Sequence, residues 1–330
     1  MGFARTAVTV ALLALVPQLL DRVLLFPGVP VHAEGGVLVT GASSGIGLHA
    51  AIAIGARGYV AFAGVRKQAD ADALRAAAHP NVVPVLIDVT QPAQVAEAAR
   101  AVRSELARRG GAKLVGLVNN AGVGRSLPIE VHALADVRAV FDVNVFGVYA
   151  ATQAFLPLLR EAGGGARIVN IGSVAGLVAA PLSATYSASK FALEAFSASL
   201  RREVGAFGMG VSVVNPAYVR TAIAGKQLGA SSNVAGLSDA QRALYAHVLE
   251  GQDAKRARAE AKADPPHVTT DAIEHALRSP HPEARYVVAN VNGVPAWVVG
   301  WALWAFPEDV VDWLLTAAAT SSAQGAAGEL

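Results

Sequence analysis

Cysteine is absent from this chain of 330 residues, which contains only eight histidines. Without cysteine there are no disulfides, no thiolate metal ligands and no thiol nucleophiles. None of the histidines has helical or short-loop spacing to a second metal ligand, so we expect no metal site. Charged residues are also few, at 16%, and the net charge is only +2. Because the basic residues form no stripe with aromatic ones, we expect no nucleic-acid partner.

Apolar residues, by contrast, make up 53% of the chain. An apolar run that begins at residue 7 is interrupted by Asp21 and Arg22 and resumes after them. The stretch 7–26 has about the length that spans a bilayer. We therefore predict that the hydrophobic segment 1–34 is a membrane anchor or an interfacial helix, with membrane contact through residues 7–26.

Two other interpretations of this segment stay open. Arg5 precedes the apolar run, and Val31-His32-Ala33 places small residues where a secretory signal is cleaved. Against a signal, Asp21 falls inside the stretch that would have to remain apolar. The segment would otherwise be a helix that packs on the protein's own surface.

From residue 35 onward, short β-branched runs alternate with Ala-rich helical stretches, which is typical of βαβ units and a parallel sheet. We predict one doubly wound α/β domain over 35–290, a lid insertion at about 222–266, and an apolar C-terminal extension over 291–330. The predicted strands are 37–40, 60–64, 83–87, 114–119, 167–171, 211–215 and 285–288. The clearest predicted helices are 46–57, 92–109, about 134–160, and 185–205.

A glycine-rich turn joins the first predicted strand to the first predicted helix. Its sequence is Thr40-Gly41-Ala42-Ser43-Ser44-Gly45-Ile46-Gly47. Glycines let the backbone turn tightly and approach a pyrophosphate, which the free N–H groups and the dipole of a helix N-terminus bind. The spacing is G-x-x-x-G-x-G rather than the common G-x-G-x-x-G, and a turn without a ligand is the alternative interpretation.

Tyr186 and Lys190 lie four residues apart on a predicted helix and therefore share one face. A phenol titrates near about 10 in water, so a tyrosine acid/base needs its phenolate stabilised, which a neighbouring ammonium can do. Ser173 ends a predicted strand upstream, where its hydroxyl would donate to the same oxygen as Tyr186. Two donors on one carbonyl oxygen polarise the carbonyl for hydride attack. The alternative is an exposed aromatic beside a solvated lysine.

Three more motifs accompany these residues: Asp88 in LIDVT, the run Asn119-Asn120-Ala121-Gly122, and Asn144 in FDVNVFG. With this set, the chain resembles the short-chain dehydrogenase/reductase family from residue 37 to about 221. It is most similar to the retinol, hydroxysteroid and hydroxybutyrate dehydrogenase branches. The resemblance implies a Rossmann-type, mostly parallel sheet in the order 3-2-1-4-5-6-7. It also implies an NAD(P)(H)-dependent oxidoreductase that moves a hydride between the nicotinamide and a carbonyl or alcohol.

The resemblance assigns a role to each motif. Tyr186 would be the general acid/base, assisted by Ser173, while Lys190 would bind the nicotinamide ribose and Asn144 would hold a water in a proton path. Asp88 and Asn119 would contact the adenine and a cofactor ribose, although both residues also suit ordinary caps, as Asn144 suits a helix kink. The expected cofactor residues are Thr40, Gly41, Ser43, Ser44, Gly45, Ile46, Gly47, Arg66, Asp88, Asn119, Ala121, Gly122, Tyr186, Lys190, Pro216, Ala217, Val219 and Thr221.

The choice of cofactor depends on the end of the second predicted strand, which reads VAFAGVRKQ. It lacks the carboxylate that would bind the adenosine ribose hydroxyls of NAD. Arg66 and Lys67 suit a 2′-phosphate instead, so we predict NADP(H) in preference to NAD(H). Against this, Ser44 stands where many NADP-dependent relatives carry a basic residue. The chain also departs from the family pattern at Pro216-Ala217, where the family usually has Pro-Gly. If the family's backbone there has a positive φ, that conformation would be strained at Ala217.

Near the C-terminus, Trp297, Trp301 and Trp304 fall on one face of a predicted helix. Packing in the core or in a substrate pocket is the first interpretation, and docking at a membrane interface is the second. Together with the N-terminal segment, they indicate a lipophilic ketone or aldehyde of the retinoid, steroid or long-chain type.

Two further functions stay open from the sequence. The alternative to an enzyme is a non-catalytic NAD(P)-binding sensor or scaffold on the same fold. Within the enzymes, a ketoacyl reductase is less compatible with the long lid and extended C-terminus. We expect a homodimer or homotetramer that is membrane-associated with a cytoplasmic catalytic domain, the alternative being a soluble cytoplasmic protein.

Overall fold

The β-branched runs form a seven-stranded parallel sheet in a computed structural model of the chain, which describes residues 28–77, 81–220, 236–249, 252–291 and 293–315. The strands are β1 (Gly36–Val39), β2 (Val60–Val65), β3 (Val82–Leu86), β4 (Leu114–Asn119), β5 (Arg167–Ile171), β6 (Gly210–Pro216) and β7 (Arg285–Val288). Their order is β3-β2-β1-β4-β5-β6-β7, which confirms the prediction. The order reverses between β1 and β4, and ligands of such sheets bind at this switch point, outside the carboxyl ends of the strands.

Helices cover both faces of the sheet, which explains why β1 and β4 are buried along their whole length. One face is covered by α1 (Gly45–Ala56), α2 (Gln68–Ala77) and α10 (His267–Arg278). The other face is covered by α3 (Pro92–Arg108), α5 (Gly147–Arg160) and α6 (Ala184–Val204). Each face has its own cluster of buried apolar side chains. The sheet is therefore held rigidly from both sides, and its carboxyl edge is left for ligands.

The long helix predicted over 134–160 is interrupted in the structure. It consists of α4 (Leu134–Phe141), a π-helical turn over Asp142–Phe146, and α5. A π turn inserts one residue into the helical ladder and often marks a functional site. Among the described residues, the stretch Leu134–Arg160 is the one helix long and apolar enough to cross a membrane. It nevertheless packs on the sheet, as a core helix does.

The amino end of the described chain is bound to the opposite edge of the sheet, where the strands begin. Arg167, the first residue of β5, is 1% exposed and donates from Nη1 to Gly165 O at 2.6 Å and from Nη2 to Pro30 O at 2.9 Å. Tyr59 Oη donates to His32 O at 2.5 Å. Segment 28–32 therefore leaves the domain far from the carboxyl edge. The predicted anchor over residues 7–26 lies outside the described residues, so it stays a prediction.

The insertion between β6 and β7 contains three helices among its described residues, namely α7 (Asp239–Leu244), α8 (Ala246–Leu249) and α9 (Gln252–Ala261). The two ends of the insertion are joined at its base. The N–H of Asp264 donates to Tyr218 O at 3.0 Å, and the N–H of Arg220 donates to Asp264 O at 2.7 Å. This closed base fits a lid over the carboxyl edge. Residues 222–235 and 250–251 of the predicted lid lie outside the described residues.

A short hairpin, β8 (Asn290–Val291) and β9 (Val294–Pro295), leads from β7 into α11 (Ala296–Ala305). Trp297 and Trp301 on α11 are 61% and 63% exposed. The expectation that they pack in the core or in a pocket is therefore wrong. The helix α11 packs against β7, and its face with Trp297 and Trp301 points to the solvent. The side chain of Trp304 lies outside the described part of the chain.

Candidate active site

The glycine-rich turn between β1 and α1 is shaped to accept an anion. Gly41 and Gly45 have φ values of +66° and +60°, which other residues rarely adopt. A side chain at Gly47 would overlap Asn120 and lie 2.6 Å from Gly41 O. The N-cap residue Ser44 makes no capping hydrogen bond from its side chain, and the first turn of α1 carries no acid. The first N–H groups of α1 are therefore free of a side-chain cap and fit a pyrophosphate.

The turn is braced from β4. Thr40 Oγ1 accepts hydrogen bonds from the N–H groups of Asn120 and Ala121, both at 3.0 Å. In return, Asn120 Nδ2 donates to Thr40 O at 2.9 Å and to Gly41 O at 3.2 Å. Thr40 and Ala121 are among the predicted cofactor residues, whereas Asn120 is not. The doubled asparagine at the end of β4 was the available signal.

Asn119 lies inside the sheet, at 2% exposure. Its Nδ2 donates to Asn170 Oδ1 at 2.9 Å and to Thr152 Oγ1 at 3.2 Å, which links β4 to β5 and α5. Its Oδ1 is buried and has no partner within the described chain, so it suits a hydroxyl donated by a ligand. Asp88 caps a turn, because its Oδ1 accepts from the N–H and the hydroxyl of Thr90.

Asn144 lies in the π turn and is 1% exposed. Its side chain pairs with the backbone of Val123 in both directions, since Oδ1 accepts from the N–H and Nδ2 donates to the carbonyl, each at 2.9 Å. Nδ2 also donates to Ser189 Oγ at 3.0 Å. Asn144 thus joins the loop after β4 to α6. These contacts, which the sequence did not indicate, explain why a π turn is needed here. The water predicted at Asn144 stays a prediction.

Ser173, Tyr186 and Lys190 come together at the carboxyl end of β5. Ser173 is 9% exposed, its Oγ accepts from the N–H of Ala175 at 3.1 Å, and its hydroxyl is hydrogen-bonded to Tyr186. Lys190 is 5% exposed, and its Nζ donates to Ile171 O at 2.8 Å and lies 5.7 Å from the Tyr186 ring centre. The predicted grouping of a hydroxyl, a phenol and an ammonium is present.

Burial controls the ionisation of the pair. It raises the pKa of Tyr186, while the hydrogen bond with Ser173 lowers that pKa to a smaller extent. Burial also lowers the pKa of Lys190 to about 8. The sequence led us to expect that the ammonium would lower the pKa of Tyr186. In the protein without a ligand the opposite shift prevails, because a poorly solvated site disfavours both charged forms. At neutral pH the site therefore holds a phenol beside an ammonium.

The loop after β4 lies over these catalytic candidates. A Cβ added at Gly122 would lie 3.7 Å from Lys190 Nζ, and one added at Gly124 would lie 3.5 Å from the Tyr186 ring. The glycine-rich turn reaches β2 as well, since the N–H of Ala42 donates to Gly64 O at 2.8 Å. Arg66 is exposed two residues beyond that contact. Along the carboxyl ends of the strands, Arg66 after β2 is followed by the turn after β1, by Gly122 after β4 and by the catalytic candidates at the end of β5.

The residues after β6 differ in part from expectation. Ala217 has no strained backbone, because positive φ values at non-glycine residues of the described chain occur at Leu182 and Ala289. Its N–H donates to Val288 O at 3.0 Å, so alanine is accommodated in place of glycine. Val219 forms a bridge with Asp264 at the base of the lid. Thr221 lies outside the described residues.

A family model described as short chain dehydrogenase matches residues 36–230. The chain belongs to the short-chain dehydrogenase/reductase family. It is therefore an NAD(P)-dependent oxidoreductase that acts on CH–OH or C=O groups. Two relatives agree with the predicted branches. Retinol dehydrogenase 5 of Mus musculus is 35% identical over 291 residues, covering 85% of this chain and 87% of that protein. The 17-beta-hydroxysteroid dehydrogenase type 1 of Mus musculus is 36% identical over 264 residues, covering 77% and 73%.

Solved structures of short-chain dehydrogenases resemble this oxidoreductase over most of its length. One from Burkholderia cenocepacia in complex with NADP has a TM-score of 0.62 and 27% identity, covering 86% of this chain and 98% of that one. Another from Burkholderia phymatum in complex with NAD has a TM-score of 0.60 and 29% identity, covering 77% and 89%. Proteins of this fold are thus seen with either dinucleotide.

The role of the glycine-rich turn in dinucleotide binding can be tested with Gly47→Ala, because the turn is closely packed. The added methyl would meet Asn120 and Gly41 O, so we expect the turn to open and dinucleotide affinity to fall by roughly tenfold or more. Titration of the dinucleotide by intrinsic fluorescence measures the affinity. Gly205→Ala is the matched control, because a Cβ there meets nothing within 4 Å. Equal affinities in the two variants would contradict the proposed cradle.

Proposed function

We propose that this oxidoreductase transfers a hydride between NADP(H) and a retinoid, a steroid or another lipophilic carbonyl or alcohol, with Tyr186 as general acid/base. The observation that carries the proposal is the convergence of Ser173, Tyr186 and Lys190 at the carboxyl end of β5. A sensor or scaffold would need the dinucleotide cradle alone. It would have no use for a buried ammonium beside a buried phenol, since burial of both groups costs stability.

The three side chains divide the work at the substrate oxygen. In the reducing direction, the Tyr186 hydroxyl gives its proton to that oxygen, and in the oxidising direction the phenolate takes it back. The Ser173 hydroxyl is already an acceptor for the N–H of Ala175, which leaves its own proton to be donated to the same oxygen. The nicotinamide, when bound, supplies or accepts the hydride.

Lys190 stabilises the proton transfer without touching the substrate. One N–H of its ammonium is held by Ile171 O, and the other two can meet a ribose hydroxyl or a water. Its charge favours the phenolate that forms when Tyr186 gives up its proton. Because burial lowers the pKa of Lys190 to about 8, this charge is present below that pH and is lost above it in the ligand-free protein.

NADP(H) is the proposed cofactor because of the charge at the end of β2. Arg66 and Lys67 are exposed there, next to the turn that would hold the pyrophosphate, and the strand ends without a carboxylate. A 2′-phosphate would gain a charge-assisted hydrogen bond from Arg66. The relatives seen with NADP and with NAD allow either choice, so the preference comes from these two side chains.

The lipophilic substrate is proposed from the relatives named above and from the surface beside the site. A Cβ added at Gly300 would lie 3.8 Å from Leu177 Cδ1, so α11 adjoins the loop that follows Ser173. Trp297 and Trp301 are exposed on this same helix. Tryptophan favours the interface of a bilayer. We include membrane association, through this surface and residues 7–26, with the catalytic domain on the cytoplasmic side.

A homodimer or homotetramer is part of the proposal because α5, α6 and the π turn expose aromatic residues together. Phe146 is 61% exposed, and Tyr149 and Phe191 are each 44% exposed. Burying such side chains against a second copy would remove them from water, which contributes about 1.5–3 kcal/mol for each large apolar side chain fully buried.

The proposed chemistry is tested with Tyr186→Phe, which removes the phenolic proton and leaves the ring. We expect NADPH oxidation with retinaldehyde, a 17-ketosteroid or a long-chain aldehyde to slow by roughly 100- to 10,000-fold. Dinucleotide binding should remain measurable, which serves as the control for folding. Turnover that the substitution leaves unchanged would overturn the mechanism. NADPH binding by the unsubstituted protein without turnover of any panel member would favour the sensor.

Cofactor preference is tested with Arg66→Asp, which replaces a donor by a charge that repels phosphate. We expect kcat/KM for NADPH to fall by roughly 10- to 100-fold. The kcat/KM for NADH should stay level or rise. Arg75→Asp on α2 is a matched charge reversal, since Arg75 is exposed and pairs only with Asp72 among the described residues. A preference for NADH in the unsubstituted protein, or a preference that Arg66→Asp leaves alone, would contradict the proposal.

Membrane contact is tested by co-sedimentation of the full chain with phosphatidylcholine vesicles. We expect Trp297→Ser combined with Trp301→Ser to lower the bound fraction, because each tryptophan loses its place at the interface. Phe207→Ser is the control, as another exposed aromatic, 47% exposed, near the start of β6. Recovery of the full chain entirely in the soluble fraction without detergent would refute membrane association.

A further inference from the structure

Asn215, near the end of β6, is completely buried and bonded on both sides of its amide. Its Oδ1 accepts a hydrogen bond from the N–H of Ser173 at 2.8 Å. Its Nδ2 donates to Glu194 Oε1 at 2.5 Å. The Asn215 side chain therefore contacts both the backbone of Ser173 and helix α6, which carries Tyr186 and Lys190.

Glu194 connects this amide to the catalytic face of α6. It lies four residues after Lys190 and eight after Tyr186, which places all three on one side of the helix. The second oxygen of Glu194 accepts from Arg285 Nε at 3.1 Å and from Nη2 at 2.7 Å. The arginine balances the charge, so the carboxylate can be half-buried and still accept from Asn215.

Gly172 makes room for the contact. A Cβ added there would overlap Asn215 Oδ1 and would lie 2.9 Å from Val213 Cγ1. Gly172 does not have a positive φ, so the need for glycine comes from space and not from backbone conformation. The Ile-Gly-Ser sequence at the end of β5 is thus matched to an amide on the neighbouring strand.

We propose that Asn215 is a positioning residue that holds Ser173 in register with Tyr186, by bonding the Ser173 backbone and Glu194 of α6 at the same time. The role rests on the proposed reaction at Tyr186. Two direct hydrogen bonds already join β5 to α6, from Lys190 Nζ to Ile171 O and from Asn170 Nδ2 to Ser197 Oγ, both at 2.8 Å. Asn215 adds a link from the neighbouring strand that reaches the backbone of Ser173 itself. Ser173 donates usefully only if its hydroxyl and that of Tyr186 meet one oxygen, and small displacements at such a point are costly.

The experiment measures kcat, KM and dinucleotide affinity for Asn215→Ala, using NADPH and the best aldehyde or ketone of the panel above. We expect kcat to fall by roughly 10- to 100-fold, with KM and dinucleotide affinity changed by less than about threefold. Ser212→Ala is the matched control. Ser212 is on the same strand, is 2% exposed, and loses a hydrogen bond to Glu283 O that points away from the site.

Two substitutions that exchange the amide and the carboxylate, Asn215→Asp and Glu194→Gln, distinguish a positioning role from general destabilisation. Asn215→Asp alone sets a second carboxylate against Glu194, so we expect a loss of kcat at least as large as in Asn215→Ala. Adding Glu194→Gln provides a donor opposite the new carboxylate and should recover most of that loss. The rescue depends on the pairing of the two side chains, and a merely structural role would not produce it.

The outcomes are distinct from those that test the proposed function. Absence of turnover in the unsubstituted protein counts against the proposed reaction. If the unsubstituted protein turns over the substrate, then equal kcat values in Asn215→Ala and Ser212→Ala would overturn the inference. A kcat in the double variant Asn215→Asp/Glu194→Gln that is no higher than in Asn215→Asp would overturn it as well. If Asn215→Ala does not fold, Glu194→Ala serves instead, because it removes the oxygen that accepts from Asn215 Nδ2 at a side chain that is not completely buried. A kcat unchanged in that variant would then overturn the inference.

Discussion

The parallel sheet ends along one edge, and the backbone groups that leave the ladder there need other partners. Asparagine amides supply many of them. Asn120 bonds the carbonyls of the glycine turn, Asn144 pairs in both directions with Val123, and Asn215 accepts from the N–H of Ser173. Asn119 links side chains inside the sheet. An amide carries both a donor and an acceptor, so it can replace a strand neighbour where no strand continues. The proposed cofactor cradle and the candidate catalytic side chains are both held by these bonds.

The same burial that makes these bonds strong sets the chemistry. Burial in a poorly solvated site disfavours the phenolate form of Tyr186 and the ammonium form of Lys190, so the pKa values of the two groups move in opposite directions. The hydrogen bond with Ser173 lowers the pKa of Tyr186 and so opposes the effect of burial, which makes the position of Ser173 important for the ionisation of Tyr186.

Surface regions with different proposed roles lie at different places on the sheet. The amino end of the described chain is held by buried Arg167 at the edge where strands begin, while the lid base and α11 stand at the edge where strands end. Segment 28–32 and the exposed Trp297 and Trp301 therefore lie at opposite ends of the sheet. Phe146, Tyr149 and Phe191 are exposed on the π turn, α5 and α6, and they form the surface proposed above to meet a second subunit.

The sequence by itself determined the strands, the glycine turn and the Tyr186–Lys190 pair, while the order of the strands was implied by the resemblance to the family. These follow from local patterns, since strands buried on both faces read as continuous apolar runs and residues four apart share a helix face. Only the tertiary structure decided that Asn215 meets Ser173, that Asn144 sits in a π turn, and that Trp297 faces outward. Such contacts join residues distant in sequence. Their geometry, and the burial that shifts the pKa of Tyr186, exist only once the elements have packed.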